Sequence, residues 1–562
     1  MATAEIAAKP AFGAQLTPHG VRFALWAPSA SSVELVLQED EKPMKRTADG
    51  WFELLEPEAA AGTLYQYRID GELLVPDPAS RFQPRDVDGP SEVIDPAFDW
   101  DDWKGRPWEE AVIYELHVGC FSNEGDYGGV EKRLSHLKST GITAIELMPL
   151  ADFSGKRNWG YDGVLPYAPD SAYGRPEELK RLVRAAHRAG LMVFLDVIYN
   201  HFGPKGNYLQ RYAPQFFTER HRTPWGAAID FSNPWVRQYF VQNALYWLRE
   251  YRFDGLRFDA VHAIVDESPK HVLEEIAFQI KDNFSKERQI HLVLENDANQ
   301  ARYLKTYTAQ WNDDSHHAFH VLATGEAQGY YKAYVDAPAR HLARCLAEGF
   351  AYQGEVSPFS GERRGERSAD LPPTAFVDFL QNHDQIGNRA FGDRIISLTT
   401  ERRLKTLTAI LLLAPSIPLL FMGEEWGCRQ PFQFFCDFPG ELGEAVRQGR
   451  RREFADIRDM PDPTAEETFR RCVLRWEDVD QGWLGFYRNL LFVRKKEITP
   501  RKCGPGRYRM FGDRAFEVRW GALRLVANCG EDLSEKIELP VGAPFFSIGE
   551  PAAPWSAAWW IE

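Results

Sequence analysis

The chain has 562 residues, enough for about three domains at the usual ~100–200 residues each. Hydrophobic residues make up 44% and charged residues 26%, which excludes a disordered or fibrous chain. A formal charge of −15 argues against partners that need a positive field, nucleic acid and anionic lipid alike. Neutral ligands held by hydrogen bonds and stacking fit better, and 17 Trp, 21 Tyr and 36 Phe supply either large cores or stacking surface.

Seven cysteines are scattered without a CxxC pair, which argues against a zinc site and fits a reducing compartment. Met1 to Leu16 lacks a basic region followed by an apolar run, so no secretory leader is expected. The longest apolar stretch, Leu407 to Phe421, holds two prolines and is too short to span a bilayer. A soluble, cytoplasmic protein without a membrane partner is expected.

In chain order, the first expected unit is residues 1–108, a small β-sandwich. VRFALWAP (21–28), SVELVLQ (32–38) and TLYQYRID (63–70) alternate apolar and polar residues at period two, the pattern of half-buried strands. Pro76 to Asp95, rich in Pro, Asp and Gly, reads as a linker.

From about 109 to 490 the pattern changes. Apolar runs such as AVIYELHV (111–118), TAIELMPL (143–150), LMVFLDVIYNH (191–201) and FDGLRFDAVH (253–262) alternate with helical stretches. IHLVLEND (290–297), FVDFLQNHD (376–384) and PLLFMGEE (418–425) continue the series. Strands apolar on both faces, alternating with helices, predict a parallel sheet, and their number predicts an α/β (β/α)₈ TIM barrel. EELKRLVRAAHRAG within 177–190 sets Leu179, Leu182, Val183 and Ala186 on one helical face. Residues 491–562 return to short strands (YRMFG, FEVRW, LRLVANCG, KIELP) and form a small C-terminal β-domain.

What ends the apolar runs carries the chemistry, because in such a barrel the strand C-termini line the active-site mouth. Those ends hold Asp196, Asn200 and His201; Arg257, Asp259 and His262; Glu295, Asn296 and Asp297; Asn382, His383 and Asp384. Asp196 stands short of its strand end and can equally brace loops. Arg257 and Asp259, two apart on a strand, face the same way. The guanidinium should keep Asp259 ionised, as a nucleophile requires. Glu295 follows the apolar run HLVL, so its pKa is expected to be raised, as a general acid requires. Asp384 can accept substrate hydroxyls or cap a helix. Glu424 and Glu425 read as structural support at the eighth strand. Without a phosphate loop, a Ser-His-Asp pattern or a nucleotide fingerprint, this set suits glycoside chemistry. Ligation of a catalytic metal by His201, His262, His383 and the aspartates stays open, weakened by the lack of an HxH or HxxxH pair.

At these residues the chain resembles the α-amylase superfamily of glycoside hydrolases. Its four signature segments stand in order as DVIYNH (196–201), GLRFDAVH (255–262), LENDAN (294–299) and FLQNHDQIGN (379–388). Within it the chain is most similar to the trehalohydrolases, on RNWGYDGVLPYAPDSAYG (157–174), YNHFGPKGNYL (199–209), QWNDDSHHAFH (310–320) and LPPTAFVDFLQNHDQIGNRAFG (371–392). The resemblance implies Asp259 as nucleophile, Glu295 as acid/base and Asp384 as transition-state stabiliser. The mechanism it implies is retaining, with carboxyl groups ~5–5.5 Å apart. Around them it implies Arg257, His201, His262 and His383 as sugar-contacting neighbours, and Asp297, Gln385 and Asn388 are added to the expected substrate-binding set. Asp313, Asp314, His316 and His317 are added as a polar loop in which Ser315 replaces an expected aromatic. Trp159, Tyr161 and Asp162 are added as a loop suited to stacking a ring and accepting its hydroxyls. The implied substrate is maltooligosyltrehalose, cut at the α-1,4 bond next to its terminal trehalose, with no cofactor and no metal. A synthase making that substrate is the implied metabolic neighbour, and no physical partner is implied. An α-glucan branching or debranching enzyme and a non-catalytic glycan-binding protein are the alternatives.

Overall fold

A computed structural model describes residues 11–38, 40–531, 537 and 539–562. Its centre is a closed barrel of eight parallel strands: β1 Ile113–Leu116, β2 Ala144–Leu147, β3 Met192–Val197, β4 Gly255–Phe258, β5 His291–Leu294, β6 Ala309–Trp311, β7 Phe376–Phe379 and β8 Ile417–Phe421. Closure comes from β1, which pairs with β2 (Ile113 opposite Ala144) and with β8 (Ile113 opposite Leu419). Ile113, Met192, Phe194, Val293, Trp311, Phe379 and Leu419 belong to one buried apolar cluster, so the barrel is packed rather than hollow. Gly255 on β4 is dictated by this filling: a Cβ there would lie 2.3 Å from the His291 carbonyl oxygen and 2.8 Å from the Phe194 ring.

The outer helices include α1 Leu134–Thr140, α2 Pro176–Ala189, α3 Pro234–Glu250, α4 Val272–Phe284, α5 Asp313–Thr324, α6 His383–Gly387, α7 Glu401–Leu413 and α8 Gln481–Val493. Helix α2 buries Leu179, Leu182, Val183 and Ala186, the face its spacing predicts. Pro176 opens it, Glu177 and Glu178 complement its dipole, and left-handed Gly190 ends it. Strand β6 was not among the runs legible in the sequence, because three residues are too few to show a period. The stretch expected as a polar loop, Asp313 to His317, is instead the first turn of α5, directly after β6.

Before the barrel stand two antiparallel sheets. One has the order Gln15–Thr17, Gly20–Trp26, Trp51–Glu56, Lys45–Arg46; the other runs Asp40–Pro43, Val33–Leu37, Leu64–Ile69, Leu73–Val75. Trp51 meets Trp235 of α3 edge-on at 5.5 Å, which ties these sheets to the barrel. The linker expected at Pro76–Asp95 is instead a packed strap. Asp77 accepts from Tyr65 Oη at 2.8 Å, and Arg81 lies over the Tyr167 and Tyr246 rings. The last unit is a five-stranded antiparallel sheet, Arg507–Phe511, Ala515–Trp520, Leu523–Asn528, Ser556–Ile561, Phe546–Ile548. Lys536 and Glu538 of the expected KIELP strand lie outside the described residues. All seven cysteines are free thiols. Among the described residues no helix is long and apolar enough to cross a membrane.

Candidate active site

The C-terminal ends of β3, β4 and β5 bring Asp196, Arg257, Asp259 and Glu295 together around one guanidinium. Arg257 Nη1 donates to Asp196 Oδ2 at 2.6 Å and to Asp259 Oδ1 at 2.9 Å, while Nη2 donates to Glu295 Oε2 at 2.8 Å. The same guanidinium lies 4.1 Å over the Trp311 ring, which shields it from water and fixes its plane. Ala260 N–H gives Glu295 Oε2 a second donor at 2.9 Å. Ala260 reaches that position in the left-handed region, φ 40° and ψ 48°, a strained state for alanine that the surrounding contacts hold in place. Asn200 Nδ2 approaches Asp259 Oδ2 at 3.4 Å. Side-chain exposure grades outward from Asp259 at 11% through Glu295 at 15% to Asp384 at 45%, so Asp259 is the deepest of the three.

Electrostatics here differ from the sequence expectation. Burial and the neighbouring Glu295 charge push Asp259 well above the ordinary carboxylate range, against the pull of Arg257. For Glu295, burial is outweighed by Arg257, the Ala260 N–H and His262, and its pKa is lowered. The reason is geometric: one guanidinium serves three carboxylates, and only Glu295 also has a backbone donor. The directions at Asp259 and Glu295 are therefore opposite to those expected from the sequence. Asp384, the outermost of the three, is raised by desolvation.

The fourth signature segment sits on α6. Asn382 caps that helix by accepting from Asp384 N at 2.9 Å, so the capping role falls to Asn382 and leaves the Asp384 carboxylate to Asn388 Nδ2 at 3.1 Å. His383 Nδ1 lies 2.5 Å from Glu115 Oε1, and its backbone N–H donates to Glu115 Oε2 at 3.1 Å. Burial would lower the imidazole, but Glu115 raises it to about 9. The folded pKa exceeds the ordinary 6.5, so this pair stabilises the fold fully below about pH 6.5, and the gain is lost as pH rises through about 9. The shift is worth about 3 kcal/mol. Urea unfolding from pH 6 to 10 should show that decline, and Glu115→Gln should flatten it; parallel curves for parent and variant would refute the pairing.

His201 is neutral, its pKa lowered to about 4 by burial. Nε2 donates to the Tyr161 carbonyl at 3.0 Å, and Nδ1 lies 2.8 Å from Asn200 Oδ1. Tyr161 Oη donates to Asp196 at 2.7 Å and its ring stacks on His383 at 5.0 Å. Asp196 is thus a brace between Arg257 and Tyr161. Trp159 is buried, stacked on Phe432 at 5.5 Å, with Nε1 donating to the Gln433 carbonyl. It packs the loop rather than offering a free face to a sugar. Gly387 of α6 is glycine for this reason: a Cβ there would lie 2.0 Å from the Trp159 ring. Asp162 accepts from Asn158 Nδ2 at 2.7 Å.

Helix rotation divides the Asp313–His317 set. Asp313 is raised by burial and by the charges of Glu295, Asp297 and Asp384, which places it among the mouth carboxylates. His317, one turn on, stacks near Tyr330 at 4.6 Å. Asp314 and His316 do not serve the mouth, a correction to their expected substrate-binding role. Asp314 is fully buried and accepts from Tyr334 Oη and from the Ala351 and Tyr352 N–H groups; His316 Nδ1 is tied to the Leu380 carbonyl at 2.8 Å. Ser315, where an aromatic was expected, is also buried, its hydroxyl on the Asn312 carbonyl. His262, Asp297 and Asn388 are exposed at the rim, Gln385 is half-buried, and Arg364 Nη2 pairs with Asp297 at 3.0 Å. Glu425 accepts from Tyr114 and lies 2.9 Å from His136, while Glu424 accepts from Gln381 and Tyr487, so both support the wall. Among the described residues no three His, Cys, Asp or Glu side chains are grouped to hold a metal.

Three residues escaped the sequence reading. Glu115 on β1 holds His383, as above. Glu146 on β2 is buried with neither carboxyl oxygen hydrogen-bonded, and desolvation raises its pKa well above the usual range. Both interrupt apolar strands (IYEL, AIEL), a signal that was visible but lay inside the run rather than at its end. Trp225, at the tip of the hairpin Phe217–Thr223 and Gly226–Ile229, is half exposed and stacks on His201 at 4.4 Å and 10°.

Comparison with known proteins follows the same segments. The α-amylase catalytic-domain model matches residues 81–225 and 215–494, and the carbohydrate-binding module 48 (isoamylase N-terminal domain) model matches 11–84. A malto-oligosyltrehalose trehalohydrolase of Saccharolobus solfataricus is 42% identical over 499 residues, 86% of this chain and 87% of that one. One of Deinococcus radiodurans is 43% identical over 529 residues, 91% and 86%. The crystal structure of a putative α-amylase from Salmonella typhimurium superposes with a TM-score of 0.94 at 46% identity, covering 98% of this chain and 99% of that one.

Proposed function

From the premise that this chain belongs to the malto-oligosyltrehalose trehalohydrolases of the α-amylase family, we propose that it hydrolyses the α-1,4 bond beside the terminal trehalose of a maltooligosyl chain. The observation that carries the reading is Arg257 gripping Asp259 and Glu295 at the barrel mouth within a chain that matches trehalohydrolases along its length.

The reaction runs in two displacements. Glu295 enters the reaction as the acid through its Oε1, which carries neither the Arg257 nor the Ala260 donor. Arg257 Nη1 holds Asp259 as the anion. Asp259 attacks the anomeric carbon as the bond to the trehalose oxygen breaks, and Glu295 protonates that oxygen, so trehalose leaves and the shortened chain remains as an ester on Asp259. Glu295, now a carboxylate, takes a proton from water, which attacks the same carbon and frees the maltooligosaccharide with net retention. Asp384 binds hydroxyls of the distorted ring, and the His383 cation beneath it balances the local negative charge. The substrate-binding set is Arg257, His201, His262, Asp297, Asp313, His317, His383, Gln385 and Asn388, joined by Tyr161 and Asp162 on their loop.

Trp225 supplies a stacking face next to His201. Trp225→Ala should raise KM about 5-fold with kcat nearly unchanged, the loss of one aromatic contact; a fall in kcat alone would assign it elsewhere.

Product analysis on maltotriosyltrehalose tests the function, with Glu295→Gln and a chelator in parallel. Trehalose plus maltotriose, absent in the variant and indifferent to chelator, is the expected outcome. New branches on a linear α-glucan with intact substrate would make it a transferase, and loss of activity with chelator would revive the metal reading.

A further inference from the structure

At the end of the barrel opposite the carboxylates, where Val112, Thr143 and Leu191 lead into β1, β2 and β3, lies a cavity of about 960 Å³. That volume suits a nucleotide-sized molecule. Its wall carries Lys138, Arg488, Lys495, Arg501 and Lys502, a concentration of positive charge in a chain whose net charge is −15.

These cations are largely uncommitted. The side chains of Lys138, Lys495 and Lys502 have no ion pair or hydrogen bond among the described residues. Arg488 reaches only Ser139 Oγ at 3.2 Å, and Arg501 bonds Glu497 one turn away on its own segment. By contrast, two other arginines of the wall are spent: Arg494 on the Leu412, Ala414 and Ser416 carbonyls, Arg106 on Glu110. Carbonyl ends of α1 and α2 also reach this wall, through Gly141 and Gly190, and bring roughly half a negative charge each. With Glu109 they offset only part of the cationic excess.

Two further features shape the cavity. Helix α8 continues into a π-helical turn, Arg494–Ile498, a rare conformation that is frequent at functional sites. Phe492, just before it, lines the same cavity and is 67% exposed, a bare ring beside the lysines. Several cations lining one cavity fit a phosphate group, with about two negative charges and three acceptor oxygens, better than a single carboxylate. The ring beside them fits a base or a sugar face.

We propose that this cavity binds a phosphorylated small molecule, a sugar phosphate or a nucleotide, with its phosphate among Lys138, Lys495 and Lys502 and its ring against Phe492. The site is remote from the catalytic mouth and acts on a ligand of different charge from the neutral glucan.

Isothermal titration calorimetry of the full chain with inorganic pyrophosphate, glucose 6-phosphate and ATP tests it. The expected result is sub-millimolar binding of at least one probe, weakened about tenfold or more in the double variant Lys495→Glu/Lys502→Glu and weakened by added salt. Basal trehalose release should be unchanged in that variant. Lys138→Ala, on a different element, should weaken the same probe and guards against a local folding defect. A preference for ATP that Phe492→Ala abolishes assigns the ring to a base, and the same loss with glucose 6-phosphate assigns it to a sugar. No heat with any probe at millimolar concentration, or equal affinity in the parent and the double variant, overturns the proposal.

Discussion

Asparagine in place of Asp259 should lower turnover of maltotriosyltrehalose by about 10⁴-fold or more, with the folded enzyme still binding substrate. The argument rests on position. Asp259 is the deepest of the three carboxylates, its Oδ1 fixed by Arg257, and amide nitrogen or oxygen in its place cannot form the glycosyl ester. Stability should change little by comparison, because Arg257 keeps Asp196 and Glu295 as partners. A fluorinated glycosyl fluoride should therefore add one glycosyl unit to the parent enzyme by intact mass and none to the variant. Activity within about tenfold of the parent, or labelling of the variant, would give the nucleophilic role to another group.

Glutamine in place of Glu295 should cost about 10²–10⁴-fold on the natural substrate, the usual contribution of a positioned acid. The loss should depend on the leaving group. Trehalose leaves poorly without a proton, whereas an activated aryl leaving group needs none, so the variant should form its glycosyl ester on the aryl substrate and stall there until azide attacks. A second consequence comes from charge. Glu295 raises Asp259, so a neutral glutamine lets Asp259 ionise at lower pH, and the acid limb of kcat/KM should move down. Equal losses for both leaving groups with an unmoved acid limb would remove Glu295 from the acid role.

Reading by residue type succeeded where strand ends are concerned. Arg257, Asp259, Glu295 and the His383–Asp384 pair interrupt or follow apolar runs, and a parallel barrel delivers such ends to one face. It failed in two directions. Asp314 and His316 looked like Asp313 and His317, but the segment is a helix, and a rotation of about 100° per residue turns neighbours to different sides. Glu115 and Glu146 went unread, because nothing local distinguishes the mouth end of a four-residue strand from its middle. Trp159 carried the expected chemistry for stacking yet is buried against Phe432, a partner 273 positions downstream.

The sequence by itself determined the alternation of strands and helices, the superfamily signature and the residue types at the strand ends, since these depend on periodicity and residue type. Only the tertiary structure decided which of those groups meet and which way their pKa values move. Arg257 divides itself among carboxylates from three strands, Ala260 donates across to the neighbouring strand, and Glu115 reaches His383 from 268 positions away. The proton balance of Asp259 and Glu295 follows from desolvation and from charges brought close across strands, and neither exists until the barrel closes.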